Sequence, residues 1–279
     1  MDKPKKLLDS PLLGSLVMPI AITLVAVLIV FGASKLLFTD RSHQDLIYEM
    51  KSKTFGNRWV AAFELSKLIA TSSIPQEDIP QFVDDLIGIY KASQDPRTRD
   101  FIIVAFGVLK SSNALPTITY ALENEDDANI LFHSIVAIGN MPQDIEFDWD
   151  VLIPFLDESD NGLKQAAILA LASHHVDKAY PKIATLLTSD DRGVRFSAAT
   201  ALIAPKNKKA LPVLKEIMTL NASDGFKPHE LTGLKINVLN ELEKSKWTEA
   251  SNLVVEMMQN EKNIQLKTRA EEVYKYLKN

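Results

Sequence analysis

The residues in this sequence that could do chemistry are few, and the run SHHVD gathers three of them, His174, His175 and Asp177. Imidazoles with a carboxylate are ordinary ligands of zinc. Adjacent histidines on an α-helix point about 100° apart, however, and no HExxH spacing accompanies them. The run therefore reads as a polar helix terminus, where imidazoles near the last carbonyls are favoured. His133, inside the apolar run ILFHSIVAIG, reads as a hydrogen-bonded core or interface histidine, and His43 and His229 fall near helix starts. The acidic runs ENEDDAN (123–129) and LDESDN (156–161) offer oxygen donors but lack the EF-hand order of ligands and glycine, so they read as helix-capping turns. There is no cysteine, which removes disulfides, thiolate catalysis and Cys-based zinc sites. No GxxxxGK[ST], GxGxxG or GxSxG segment occurs among only 10 glycines. The expectation is a non-enzyme with no catalytic, metal or cofactor site.

The other chemical pairing is acid followed by base, as in SDDRGVRFSAATALIA (189–204), and it recurs. The turn acids Asp95, Asp127, Asp160 and Asp191 each precede an Ala-rich apolar run and are spaced in the low thirties. Four positions after the acid comes Arg99, Lys164 or Arg195, with Leu131 breaking the series, and ten positions after it comes Ala105, Ala137, Ala170 or Ala201. An earlier unit offers Arg58, Ala61 and Ala62, and a late one Lys267 and Ala270. A catalytic pair need occur once, whereas a structural device repeats with its unit. A period in the thirties holding two helices is the mark of a helical solenoid.

The elements around these turns fit that architecture. First helices are predicted over 78–90, 114–122, 151–156, 180–187, 211–220 and 249–259, and second helices such as FIIVAFGVL and AAILALA are apolar nearly all round, as buried helices are. About seven hairpins are expected between residues 43 and 278. The last helix carries Arg269, Glu271, Glu272, Lys275 and Lys278 and reads as a cap. Trp59 and Trp247 are expected to pack at their hairpins.

The segment DDRGVRFSAATALI resembles the HEAT-like repeats, especially the short variety of phycobilisome lyases. The resemblance implies an all-α, right-handed α-α superhelix over 43–279. It also implies a structural ladder in which the turn acids Asp95, Asp160 and Asp191 hydrogen-bond with Arg99, Lys164 and Arg195 at the turns and between neighbours. It names a fold and no activity.

Ahead of the repeats the sequence reads as a tail (1–11), a transmembrane helix (12–34) and a linker (35–42). The uncharged stretch SPLLGSLVMPIAITLVAVLIVFGAS is long enough to span a bilayer, with a cleaved signal ending near Gly32-Ala33-Ser34 as the alternative. Lys3, Lys5 and Lys6 ahead of it predict a cytoplasmic N-terminus and an extracytoplasmic repeat domain.

The net charge is -5, of which the first 38 residues contribute +2 and the body -7. Such a body disfavours nucleic acid unless its charges are segregated, and no segregation is evident. The expected function is a membrane-anchored scaffold or adaptor whose solenoid surface binds a protein, including a membrane complex. A lyase-like enzyme on the same repeats is the alternative. Candidate partner contacts are Trp149, Phe226 and His229, because 143–150 and 221–229 depart from the repeat.

Overall fold

The computed structural model describes residues 41–278, which form α-helices and 3-10 turns with no strand among the described residues. The α-helices are α1 (His43–Met50), α2 (Phe55–Ala70), α3 (Ile79–Ala92), α4 (Pro96–Leu109), α5 (Leu115–Asn124), α6 (Ala128–Gly139) and α7 (Asn161–Ser173). They continue with α8 (Tyr180–Thr185), α9 (Arg192–Ala201), α10 (Leu211–Thr219), α11 (Pro228–Ser245), α12 (Ser251–Asn260) and α13 (Ile264–Lys278). These make seven hairpins, whose second helices α2, α4, α6, α7, α9, α11 and α13 pack in series.

One first helix departs from the α-helix predicted for it. Residues Trp149–Asp157 form a 3-10 segment, because Pro154 lacks the N–H an α-helix needs and its ring crowds the carbonyl one turn earlier. Leu152, Phe155 and Leu156 still reach the core, so the hairpin keeps its packing.

The repeat is visible in the caps. Asp95, Asp127, Asp160 and Asp191 each take extended backbone and accept from amides in the first turn of the helix that follows. Each such cap contributes about 1 kcal/mol. Fifteen positions after the acid, Lys110, His175 and Lys206 have φ of 52°, 51° and 55°, the left-handed conformation that turns the chain after the second helix. The same register gives Pro142, whose ring forbids positive φ. After α6 the chain therefore takes the longer path 140–148 before the next hairpin.

The small residues of the repeat set the spacing between second helices. Ala105, Ala137, Ala170 and Ala201 are all buried. A Cβ added to Gly139 would stand 3.0 Å from the Ala170 Cβ, so α6 and α7 meet nearly backbone to backbone there. Between these contacts run Ile102, Ile103, Phe106, Ile135, Ile138, Ile168 and Leu171, all fully buried in one continuous core. Each such side chain contributes roughly 1.5–3 kcal/mol by leaving water.

The expected membrane placement is corrected. Among the described residues no helix is long and apolar enough to cross a membrane, and the segment 12–34 on which a single-pass, extracytoplasmic location rested lies outside the described residues, as do the tail and most of the linker.

Candidate interaction surface

The expected ladder takes a different form from an acid paired with the base four residues on. Each turn acid is occupied by its own helix: Asp95 accepts from the Arg97 amide at 3.2 Å, Asp160 from Gly162 and Leu163 at 2.7 and 3.1 Å, and Asp191 from Val194 at 2.9 Å. Burial pushes the Asp95 carboxyl up, but hydrogen bonds from the Arg97 side chain and amide outweigh it and hold the group below its usual range. The bases reach forward to the next hairpin. Arg58 on α2 lies 3.5 Å from Asp95, and Arg99 on α4 lies 2.9 Å from Glu125 at the end of α5. Arg195 on α9 lies 2.9 Å from Glu216 on α10 and donates to the Ser189 carbonyl at 2.6 Å. Lys235 on α11 repeats the Arg99 arrangement, with its ammonium 2.6 Å from Glu261 at the end of α12. Lys164 makes no ion pair among the described residues.

His133 pairs with Asp100 of the preceding second helix at 2.6 Å, the inter-helix role its sequence setting indicated. His174 and His175 diverge, since His175 adopts positive φ while His174 turns inward onto the ring of Trp149 at 4.4 Å between centroids. Burial pushes the His174 imidazole below its usual pKa, against a raising influence from the Gly139 and Ile138 carbonyls. Neither of its ring nitrogens has a hydrogen bond of ordinary geometry.

The candidate partner contacts separate in the structure. Trp149 is part-buried between His174 and Phe147, and Phe226 stacks on Phe196 at 6.3 Å with the Arg192 guanidinium 5.9 Å from its ring. Both pack part-buried against the edge of the core. His229 alone is exposed, at the start of α11. Trp247 is buried at 1%, whereas Trp59, expected to pack, is 55% exposed.

Trp59 belongs to a feature that sequence reading missed. Counting from the capping position of each second helix, Trp59 stands at the fifth place and Phe63 at the ninth. The ninth place is Val104 in α4, Val136 in α6 and Leu169 in α7; the fifth is Phe132 in α6; the thirteenth is Val108 in α4. Places four apart share one helix face, and Trp59, Phe63, Val104, Val108, Phe132 and Leu169 are among the few large apolar side chains left exposed. Between α6 and α7 this face dips into a groove of about 380 Å³ lined by Phe132, Val136, Gln165, Ala166 and Leu169. The row turns polar beyond α7, with Thr200 at the ninth place of α9. The signal was present in the register at the ninth place, which is apolar in α2, α4, α6 and α7, whereas the fifth place alternates with Asp100 in α4 and Gln165 in α7.

Comparison with known proteins is consistent with this geometry. Residues 149–227 match HEAT repeats. No curated protein matches the chain by sequence. The crystal structure of YibA from Escherichia coli is similar with a TM-score of 0.56 at 15% identity, covering 86% of this chain and 84% of that one. A chain of the complex of CpcE and CpcF of phycocyanin lyase from Nostoc sp. PCC7120 is similar with a TM-score of 0.55 at 17% identity, covering 85% and 95%. Over its described residues the chain has the fold of a HEAT-like helical solenoid, with a HEAT-repeat match at residues 149–227.

Proposed function

We propose that this chain is a non-catalytic scaffold or adaptor that binds another protein through the exposed face of its second helices, from α2 to α7. The observation that carries the reading is the row of exposed apolar side chains on that face, with an apolar residue at the ninth place of each of its second helices. A solenoid exposes such a face because each hairpin contacts only its neighbours. Large apolar side chains in water are costly unless something covers them, and aromatic anchors beside shallow grooves supply most of the energy in protein interfaces. A binding role is further supported by the polar groups: Asp95, Asp160, Asp191, Arg99 and Arg195 are taken up by caps and inter-hairpin pairs. The CpcE–CpcF structure is a complex between two chains, which illustrates this fold in a protein pairing.

The test compares the full chain with a Phe132→Asp, Leu169→Asp double variant. Leu169 is 53% and Phe132 37% exposed, so the variant keeps the helical spectrum and loses only part of its melting temperature. Proteins captured by the native chain and lost by the variant support the reading. An identical capture profile for both contradicts it.

A further inference from the structure

The charge around this face is segregated, contrary to the expectation from sequence. From residue 111 to residue 163 there is no Lys or Arg, against eleven Asp and Glu. Three of these acids are neutralised: Glu125 by Arg99, Asp150 by Lys178 and Asp157 by Lys182. The other eight have no ion pair among the described residues.

Their placement follows from the fold. The second helices run parallel, since Asp100 meets His133 near one end of α4 and α6, and Gly107 meets Ala137 near the other. Their N-termini therefore share an edge, and that edge carries exposed Asp126 ahead of α6 and exposed Glu158 ahead of α7. The opposite edge carries the long connection forced by Pro142. Gln143 in that connection donates to the Ser173 carbonyl at 2.9 Å, which holds exposed Asp144 and Glu146 beside the C-terminal end of α7. A helix the length of α6, 12 residues, separates the two edges by about 18 Å. Between them lie Val104, Phe132, Val136 and Leu169.

Taking the second-helix face as the binding surface, we infer that its occupant is a cationic, amphipathic segment of another protein: apolar side chains at the centre, Lys or Arg at both ends. An apolar strip between two edges on which, among the described residues, exposed acids outnumber the unpaired Lys110 and Lys164 is complementary to that pattern in shape and sign. It repels an acidic segment and, for the same reason, nucleic acid and anionic membrane surfaces. The apolar centre supplies affinity, while the charged ends select the partner and set the orientation.

The experiment uses the full chain and three synthetic peptides of equal length: Leu-centred with Lys at both ends, Leu-centred with Glu at both ends, and Ser-centred with Lys at both ends. Binding is followed by fluorescence anisotropy at low and raised salt, with sedimentation of the same samples. The expected result is binding of the Leu/Lys peptide alone, weakened at least about threefold by raised salt. Leu169→Ser weakens that binding, and so does the combined Asp126→Asn, Glu158→Gln, Asp144→Asn and Glu146→Gln variant. Equal binding of the Lys and Glu peptides, lost in Leu169→Ser, overturns the charge class while leaving the face as the binding surface. Equal binding of the Ser-centred peptide overturns the inference as generic charge attraction. Binding that is indifferent to Leu169→Ser overturns the face as well. Self-association abolished by Leu169→Ser, with no peptide bound, assigns the face to a second copy of the chain and overturns the inference.

Discussion

Gly107 in α4 lies so close to Ala137 in α6 that a Cβ on the glycine would stand 2.9 Å from the Ala137 Cα. A backbone atom cannot swing aside as a flexible side chain can. Gly107→Ala must therefore push the two helices apart along a packed seam. The expected loss is about 1–3 kcal/mol, read as a lower denaturant midpoint with an unchanged slope. Gly233→Ala is the control, because nothing lies within 4 Å of a Cβ there and the residue sits inside α11. Relief of helix-interior glycine entropy there raises stability by up to about 1 kcal/mol.

The Lys235–Glu261 pair tests the inter-hairpin ladder. Its side chains are 7% and 12% exposed, so neither charge is well solvated. Burial pushes the Glu261 carboxyl up, but the Lys235 ammonium and the Asn263 and Lys262 amides together hold it below its usual range. Glu261→Gln leaves the ammonium buried without a counter-charge, and the expected cost is about 3 kcal/mol. The double variant Lys235→Met, Glu261→Gln removes the stranded charge and recovers a large part of that loss, which a double-mutant cycle reads directly.

Where helices end in the left-handed conformation on a side chain, glycine is the better residue. Lys110 and His175 both have positive φ, at 52° and 51°. Lys110→Gly and His175→Gly each raise stability by about 0.5–1 kcal/mol, measured by thermal or denaturant unfolding. The same substitution at Asn140, which ends α6 with φ of -88°, gives no such gain.

His174 makes stability depend on pH. Burial keeps its imidazole below the ordinary value of 6.5, so in the folded chain the ring stays neutral where the unfolded chain would protonate. The unfolded state then binds more protons, and stability falls as pH drops below about 6.5, levelling once the folded ring protonates. The groups facing the ring are the Trp149 indole, the carbonyls of α6 and the neighbouring His175, whose charge adds to the lowering. The depressed carboxylates Asp95 and Glu261 contribute only at lower pH, through their own range. His174→Gln flattens the stability profile just below about pH 6.5; an unchanged slope there contradicts the assignment.

The sequence carried the repeat because local rules wrote it. Turn acids capping the next helix and alanines ten places later are short-range features, and the structure places each where the register puts it. Pro154 and Pro142 carried local signals that went unread: the first converts a predicted α-helix to a 3-10 segment, and the second forbids the left-handed turn its neighbours use. The ladder partners were not readable, since Arg58 meets Asp95 and Arg195 meets Glu216 across gaps that only the stacking angle sets. Trp59 stands exposed where packing was expected, because an aromatic's exposure depends on which face the register gives it, a property of the neighbouring helix rather than of the residue.

The most direct test of the proposed binding face is site-specific photocrosslinking in the native cell, with the reactive residue placed at Leu169 and, as a control, at Ile264, which is 81% exposed but lies at the start of the last helix. The account predicts a discrete crosslinked protein from Leu169 and none from Ile264. Crosslinks from Ile264 with nothing captured at Leu169 would contradict it.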